Sequence, residues 1–121
     1  MKKNNKKNLK RIHLDSFPIA GFGYWDGCEA FSELKNGTRL TLVREEDNEF
    51  DPYAVALYYK DFKLGYIPRD HNHDISKYLD MGIDNVYEVL ITRVTADVHP
   101  ENQVEVNLYI KNLNLGPTTR D

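Results

Sequence analysis

A phenyl ring stands next to a carboxylate at Phe50-Asp51, inside the stretch R-E-E-D-N-E-F-D-P-Y-A-V at positions 44–55. Such a pair can stack on a flat ligand while the carboxylate accepts a hydroxyl proton. The same two residues also have a plain structural reading: Phe50 plugs the end of a barrel and Asp51 caps a turn. Residue types alone leave both open. Tyr24, Trp25 and Tyr66 supply further rings, and Lys63 and Arg69 supply cations for one or two phosphates. Rings, a few cations and a hydroxyl acceptor are what holding a nucleic-acid end requires, with stacking worth about 1–3 kcal/mol per base. Any one ring can equally be core. Their grouping on loops that would share one barrel mouth favours binding.

Other chemistries fail on spacing. There is no G-x-S-x-G, H-E-x-x-H or phosphate-cradling Walker loop. Glu45, Glu46, Asp47, Glu49 and Asp51 suggest calcium, but an EF-hand needs glycine where Pro52 stands and a bidentate glutamate where Tyr58 stands. In Asp70-His71-Asn72-His73-Asp74 an H-x-H lacks a third placed ligand, and Asp and Asn suit a helix start there. Cys28 is the single cysteine and has no histidine beside it; a lone cysteine of this kind is more often inert packing. No metal, cofactor or catalytic activity is expected. A small nuclease or hydrolase built on the acidic loop is disfavoured, because two-metal sites need carboxylates on rigid elements.

The elements that must position these groups are mostly strands. Residues 17–22 read as the first strand, followed by Gly21, Gly23 and Gly27 around Tyr24-Trp25, where backbone and rings come close. Asn36-Gly37 signals a tight turn before a strand at 38–44. Asp47, Asn48 and Asp51 can bond their own backbone, and Pro52 fixes φ before the next strand. Residues 53–59 and 62–67 read as a hairpin across Lys60-Asp61, with Gly65 at a bulge or close approach. Ile75, Tyr78 and Leu79 fall at helical spacing within 71–81, with Asn72 or Asp70 as N-cap and Gly82 as terminator. Residues 86–95 form a strand with apolar residues on both faces. Val104, Val106, Leu108 and Ile110 alternate with polar partners as a half-buried strand. The expected fold is mainly β: a small OB-like barrel of about six strands with one capping helix.

The 121 residues suit one domain with a small core. A single cysteine excludes an internal disulfide and fits a reducing compartment. No apolar run reaches membrane-spanning length, and Asp15 and Pro18 interrupt any signal-peptide core; the expectation is a cytoplasmic protein. Charge is uneven. Residues 1–11 carry Lys2, Lys3, Lys6, Lys7, Lys10 and Arg11 and no acid, against a net charge of −3 from 16 basic and 19 acidic residues. Without those six, ten basic residues face 19 acidic ones, a balance of −9 for residues 12–121. The basic start reads as a disordered arm, 12–112 as the barrel and 113–121 as a tail. An acidic body suits a site for one or two nucleotides better than a long phosphate track.

Three motifs in order, I-A-G-F-G-Y-W at 19–25, R-E-x-x-N-x-F-D-x-x-A-V at 44–55 and L-G-Y-I-P-R at 64–69, resemble the HIRAN domain. That module occurs within some DNA-remodelling helicases and alone in bacterial proteins, and this chain reads as a free-standing member. The resemblance implies an OB-like barrel that binds single-stranded DNA at a 3′ end. In end-binding members two aromatics sandwich the terminal base, which corresponds to Tyr24 and Phe50. An Asp reading the sugar hydroxyl corresponds to Asp51, the motif's Asn to Asn48 and its basic residue to Arg69. A phosphate-binding Arg of the first motif is replaced by Gly23. The expected function is thus a non-catalytic, monomeric single-stranded DNA-binding module in repair or processing of stalled or damaged DNA. RNA stays open as a ligand, and a protein partner in a larger complex is foreseen. The rival reading is a protein-interaction adaptor using sheet edges or the aromatic mouth on a peptide.

Overall fold

The structure is a computed structural model and describes residues 10–115. Six antiparallel strands make one sheet: β1 (Arg11–Pro18), β2 (Arg39–Arg44), β3 (Val55–Tyr59), β4 (Phe62–Tyr66), β5 (Tyr87–Val94) and β6 (Val104–Lys111). Their order is β1-β6-β5-β2-β3-β4. The fold is mainly β, as the alternating runs require. The sheet is not a closed barrel. A single bridge pair, Ala20 with Tyr66, spans the gap between the chain after β1 and β4. The core is made by inward residues of β3, β4, β5 and β6, including Leu57, Leu64, Val89, Ile91, Val104 and Val106, together with Ile19 and Ile67. Among the described residues no helix is long and apolar enough to cross a membrane.

The first strand begins six residues earlier than its apolar pattern indicates. Arg11–Pro18 pairs with β6 from Arg11–Lys111 to Pro18–Glu105, with an irregularity between His13 and Asp15. Only Phe17 of this strand is buried. Its pairing is therefore set by backbone hydrogen bonds, which leave no hydrophobic alternation to read. Arg11, assigned to the basic arm, is a strand residue, while residues 1–9 lie outside those described. Phe22, placed in the strand, enters a 3-10 turn at Phe22–Tyr24. The tail expected at 113–121 contains a 3-10 turn at Leu113–Leu115, and its remainder lies outside the described residues.

Two short helices interrupt the strands. α1 (Gly27–Ala30) runs into a 3-10 turn at Phe31–Glu33 and carries no apolar periodicity long enough to predict. Gly27 is required there, since a Cβ would sit 2.7 Å from the Phe22 ring. α2 (His73–Asp80) is the expected helix, shortened at its start by a 3-10 turn at Arg69–His71. It buries Ile75 and leaves Tyr78 half-exposed. Gly82, at φ +82°, ends it as its αL position demands. Asn72 does occupy the position before α2, but its side chain makes no capping bond.

Gly65 carries the tightest constraint. The β3–β4 register runs Leu57–Gly65 and then Tyr58–Lys63, so Leu64 is an extra, bulged residue. Gly65 adopts φ +147°, and a Cβ on it would lie 2.3 Å from the Ala20 carbonyl oxygen and 2.7 Å from Ile19 Cγ2. Its bareness lets Ala20 and Tyr66 exchange two 2.9 Å backbone hydrogen bonds. We expect Gly65→Ala to lower Tm by roughly 10 °C, about 2 kcal/mol at this size, by thermal circular dichroism. An unchanged Tm would show that the seam is dispensable.

Candidate nucleic-acid interface

Two backbone anchors on β4 hold the loop with the first two rings. Ala20 bridges Tyr66, and Asp26 meets Lys63 twice: its N–H donates to the Lys63 carbonyl at 2.8 Å, and its carboxylate accepts from Lys63 N–H at 3.0 Å. Between them Tyr24 N–H donates to Gly21 O at 3.0 Å, curling the chain into the turn that projects Tyr24 and Trp25.

The second loop joins β2 to β3 and is organised by its own side chains. Asn48 Oδ1 accepts from Phe50 N–H at 2.8 Å and Asp51 N–H at 3.0 Å. Asp51 Oδ1 accepts from Tyr53 N–H at 2.9 Å. Both are Asx turns, the chemistry Asn and Asp bring to such positions. Arg44 clamps the loop from below: its guanidinium donates to the carbonyls of Pro52 (2.8 Å) and Ala54 (3.0 Å) and pairs with Asp80 of α2.

The loops face each other across a cleft of about 400 Å³. Its lining includes Tyr24, Trp25, Asn48, Phe50, Asp51, Tyr66 and Arg69, with Ala54 and Ile67 beneath. Seven of the eight site residues expected from sequence thus meet in one place. Tyr24 is 82% exposed and Phe50 80%, so neither ring is a core plug. Trp25 is partly exposed, packed edge-on against Tyr66 at 5.9 Å between centroids. Asp51 is indeed a turn cap, but only through Oδ1. Its Oδ2 accepts from Asn72 Nδ2 at 2.9 Å and lies 3.8 Å from Arg69 Nε. A carboxylate has about four lone-pair sites, so Asp51 can cap and still accept a ligand proton. Arg69 is 72% exposed and donates to Phe50 O at 2.9 Å.

Lys63 is the residue the structure places differently. It does not line the cleft. Its ammonium donates to Glu45 Oε2 (2.8 Å) and the Tyr66 hydroxyl (2.6 Å), and sits 3.8 Å from the Trp25 ring centroid. Tyr66 in turn donates to Glu45 Oε1 at 2.8 Å, where Asn48 Nδ2 also donates at 3.1 Å. Lys63 is therefore committed to the wall rather than to a ligand phosphate. Burial works against the charge on Glu45, but hydrogen bonds from Lys63, Asn48 and Tyr66 and the ammonium's charge outweigh it and hold the carboxyl below its ordinary range. Lys63 is likewise desolvated, yet Glu45 and Tyr66 keep it charged above its usual value. Burial first, and then donation to Glu45, push the Tyr66 hydroxyl up.

Sequence reasoning missed three supports: Arg44, Glu45 and Asn72. Arg44 and Glu45 lie in the second motif, but nothing in their spacing reveals partners at Asp80 and Lys63. Asn72 is, with Asp70, a candidate helix cap by sequence, and its side chain instead meets Asp51. Gly23 is explained by packing, since a Cβ there would meet Pro100 Cβ at 2.9 Å, so an arginine at 23 would require the Pro100 turn to move. The two histidines near α2 diverge: His71 Nδ1 lies 2.8 Å from Asp15 Oδ2, while His73 stacks on Tyr53 at 4.0 Å. No three His, Cys, Asp or Glu side chains converge among the described residues.

The family model of the HIRAN domain matches residues 14–112. A crystal structure of a protein from Lactobacillus plantarum is similar at TM-score 0.69 and 25% identity, over 83% of this chain and 94% of that one. The crystal structure of the HIRAN domain of human HLTF is similar in fold at TM-score 0.55 and 14% identity, over 87% of this chain and 84% of that one. No curated protein matches the chain.

The wall has a pH signature. Glu45's share of stability is present above its unfolded-state pKa and is lost as pH falls through the lower folded value. Glu45→Gln should therefore cost about 1–2 kcal/mol at about pH 7 and less at about pH 3, by urea denaturation. An equal cost at both pH values would mean that the carboxylate charge does not anchor the wall.

Proposed function

The chain belongs to the HIRAN domain family of nucleic-acid-binding modules, and on that premise we propose that its cleft holds the 3′-hydroxyl end of single-stranded DNA. Two highly exposed rings, Tyr24 and Phe50, on opposite loops of one cleft carry this reading. They sandwich the terminal base. Asp51 Oδ2 accepts the proton of the sugar hydroxyl, and Arg69 meets the adjoining phosphate. Asn48 fixes the Phe50-Asp51 turn, and Trp25 and Tyr66 form the wall beside the base. Free 3′ ends are left by cleavage and trimming and at arrested synthesis, so this reading assigns the module to repair or processing of damaged or stalled DNA.

Charge sets the limits. Arg69 is the single cation among the lining residues, against Asp51 and Glu49. One phosphate contact on a single strand gives a salt slope of about −0.7. A ligand 3′-phosphate would press like charge against Asp51, whereas a hydroxyl donates to it in a bond worth about 1.5–3 kcal/mol.

Competition between 3′-hydroxyl and 3′-phosphate oligonucleotides of one sequence tests this. The wild type should prefer hydroxyl ends about tenfold or more. Phe50→Ala and Tyr24→Ala should each weaken both ends by about fivefold to a hundredfold, because stacking is blind to the terminal group. Asp51→Asn should chiefly narrow the hydroxyl-to-phosphate gap. Equal wild-type affinity for both ends would return Asp51 to the role of turn cap alone.

A further inference from the structure

Asn72 is fully buried at the start of α2 and spends its amide on Asp51. Its side chain makes no capping bond, and Oδ1 has no hydrogen-bond partner among the described residues. Two stabilising uses are thus forgone: Asn72 caps no helix N–H, and it leaves a buried acceptor unpaired. A buried amide kept at such a cost points to something it does for its one partner.

That partner stands between two attractions. Asp51 Oδ2 is 2.9 Å from Asn72 Nδ2 and 3.8 Å from Arg69 Nε. The Arg69 contact is an ion pair but too long for a hydrogen bond. Arg69 is restrained from its own side, where Nη2 donates to the Phe50 carbonyl at 2.9 Å. Asp51 is further tied through Oδ1 to Tyr53 N–H. Separate hydrogen bonds thus restrain a carboxylate and a guanidinium that lie close without forming a bidentate pair.

We infer that Asn72 is a positioning residue that holds Asp51 off Arg69, so that both stay available to a ligand. The inference rests on the reading of the cleft as a 3′-end site. With Asn72 removed, Asp51 swings toward the guanidinium and the pair closes. Asp51 then no longer faces the hydroxyl, and Arg69 no longer faces the phosphate. Asn72 touches neither ligand group; it acts through Asp51.

Coupling to Arg69 is the signature a merely structural role lacks. Hydroxyl-over-phosphate preference is measured for wild type, Asn72→Ala, Arg69→Gln and the double variant, using short oligonucleotides of one sequence. Thermal unfolding confirms that each is folded; Asn72→Ser, too short to reach Asp51 Oδ2, replaces Asn72→Ala should that variant not fold. Asn72→Ala should lower the preference about threefold or more in the wild-type background and leave it unchanged in Arg69→Gln, where no cation remains for Asp51 to close on. An equal loss in both backgrounds, or no loss in either, overturns the role of Asn72 while the 3′-end reading stands. A wild type without hydroxyl preference overturns that reading and this inference with it.

Discussion

The cleft depends on how closely the chain at Ile19 and Ala20 approaches β4. That approach exists because Gly65 has no side chain and adopts a φ other residues rarely reach. The bulge at Leu64 works with it. One extra residue turns Leu64 and Gly65 both inward in succession, and Tyr66 then projects toward the cleft. A regular ladder would alternate faces and could not do this. The backbone bonds at Ala20 and Asp26 fasten the first ring-bearing loop to the same strand that supplies Tyr66. One constraint in β4 therefore places three of the four cleft aromatics relative to one another.

Behind those rings the charges cancel. Lys63 and Glu45 neutralise each other at 2.8 Å and use their remaining hydrogen-bonding capacity on Tyr66, Asn48 and the Trp25 face. What faces the cleft is aromatic surface, one guanidinium and two carboxylates. The magnitudes decide which matters for affinity. A contact of the exposed Arg69 with phosphate would contribute up to about 1 kcal/mol and be screened by salt, and a hydroxyl bond to the more buried Asp51 about 1.5–3 kcal/mol. Two stacking faces contribute about 2–6 kcal/mol together. On the proposed reading the rings would hold the ligand and the charges would select among ligands, which would make an acidic body compatible with binding a nucleic-acid end.

Much of this was legible in the sequence, and the reason differs by element. β6 showed itself through Val104, Val106 and Leu108, because one of its faces is core and the other polar. Gly82 was legible because its role is local, and Gly65 because a glycine inside a strand run marks a bulge or close approach even when its partner, here Ala20, is distant. The Asx turns at Asn48 and Asp51 followed from side chains that bond their own backbone. β1 was not legible, since an edge strand with a single buried residue is defined by its partner's amides. Phe50 was undecidable, because a ring on a loop satisfies either a core or a ligand. Lys63 read as a phosphate cation because its partner Glu45 lies 18 residues away and no spacing rule connects them. Asn72 read as a cap because its position is a capping position; only the fold brings Asp51 within reach of its amide.

Tyr24 and Phe50 share a further property that bears on binding strength. Both stand on turns whose amides are already satisfied, Tyr24 N–H by Gly21 O and Phe50 N–H by Asn48 Oδ1. The bases of the rings are fixed before any ligand arrives, and each ring retains only the freedom of its two side-chain torsions. Immobilising such a side chain costs about 0.5–1.5 kcal/mol, less than the roughly 1–3 kcal/mol a stacked base returns. A flexible loop would add backbone ordering at about 1–2 kcal/mol per residue and reverse that balance within two or three residues. On the proposed reading the Asx turn at Asn48, the clamp of Arg44 on the Pro52 and Ala54 carbonyls and the bonds at Ala20 and Asp26 would thus enter the binding energetics without touching a ligand.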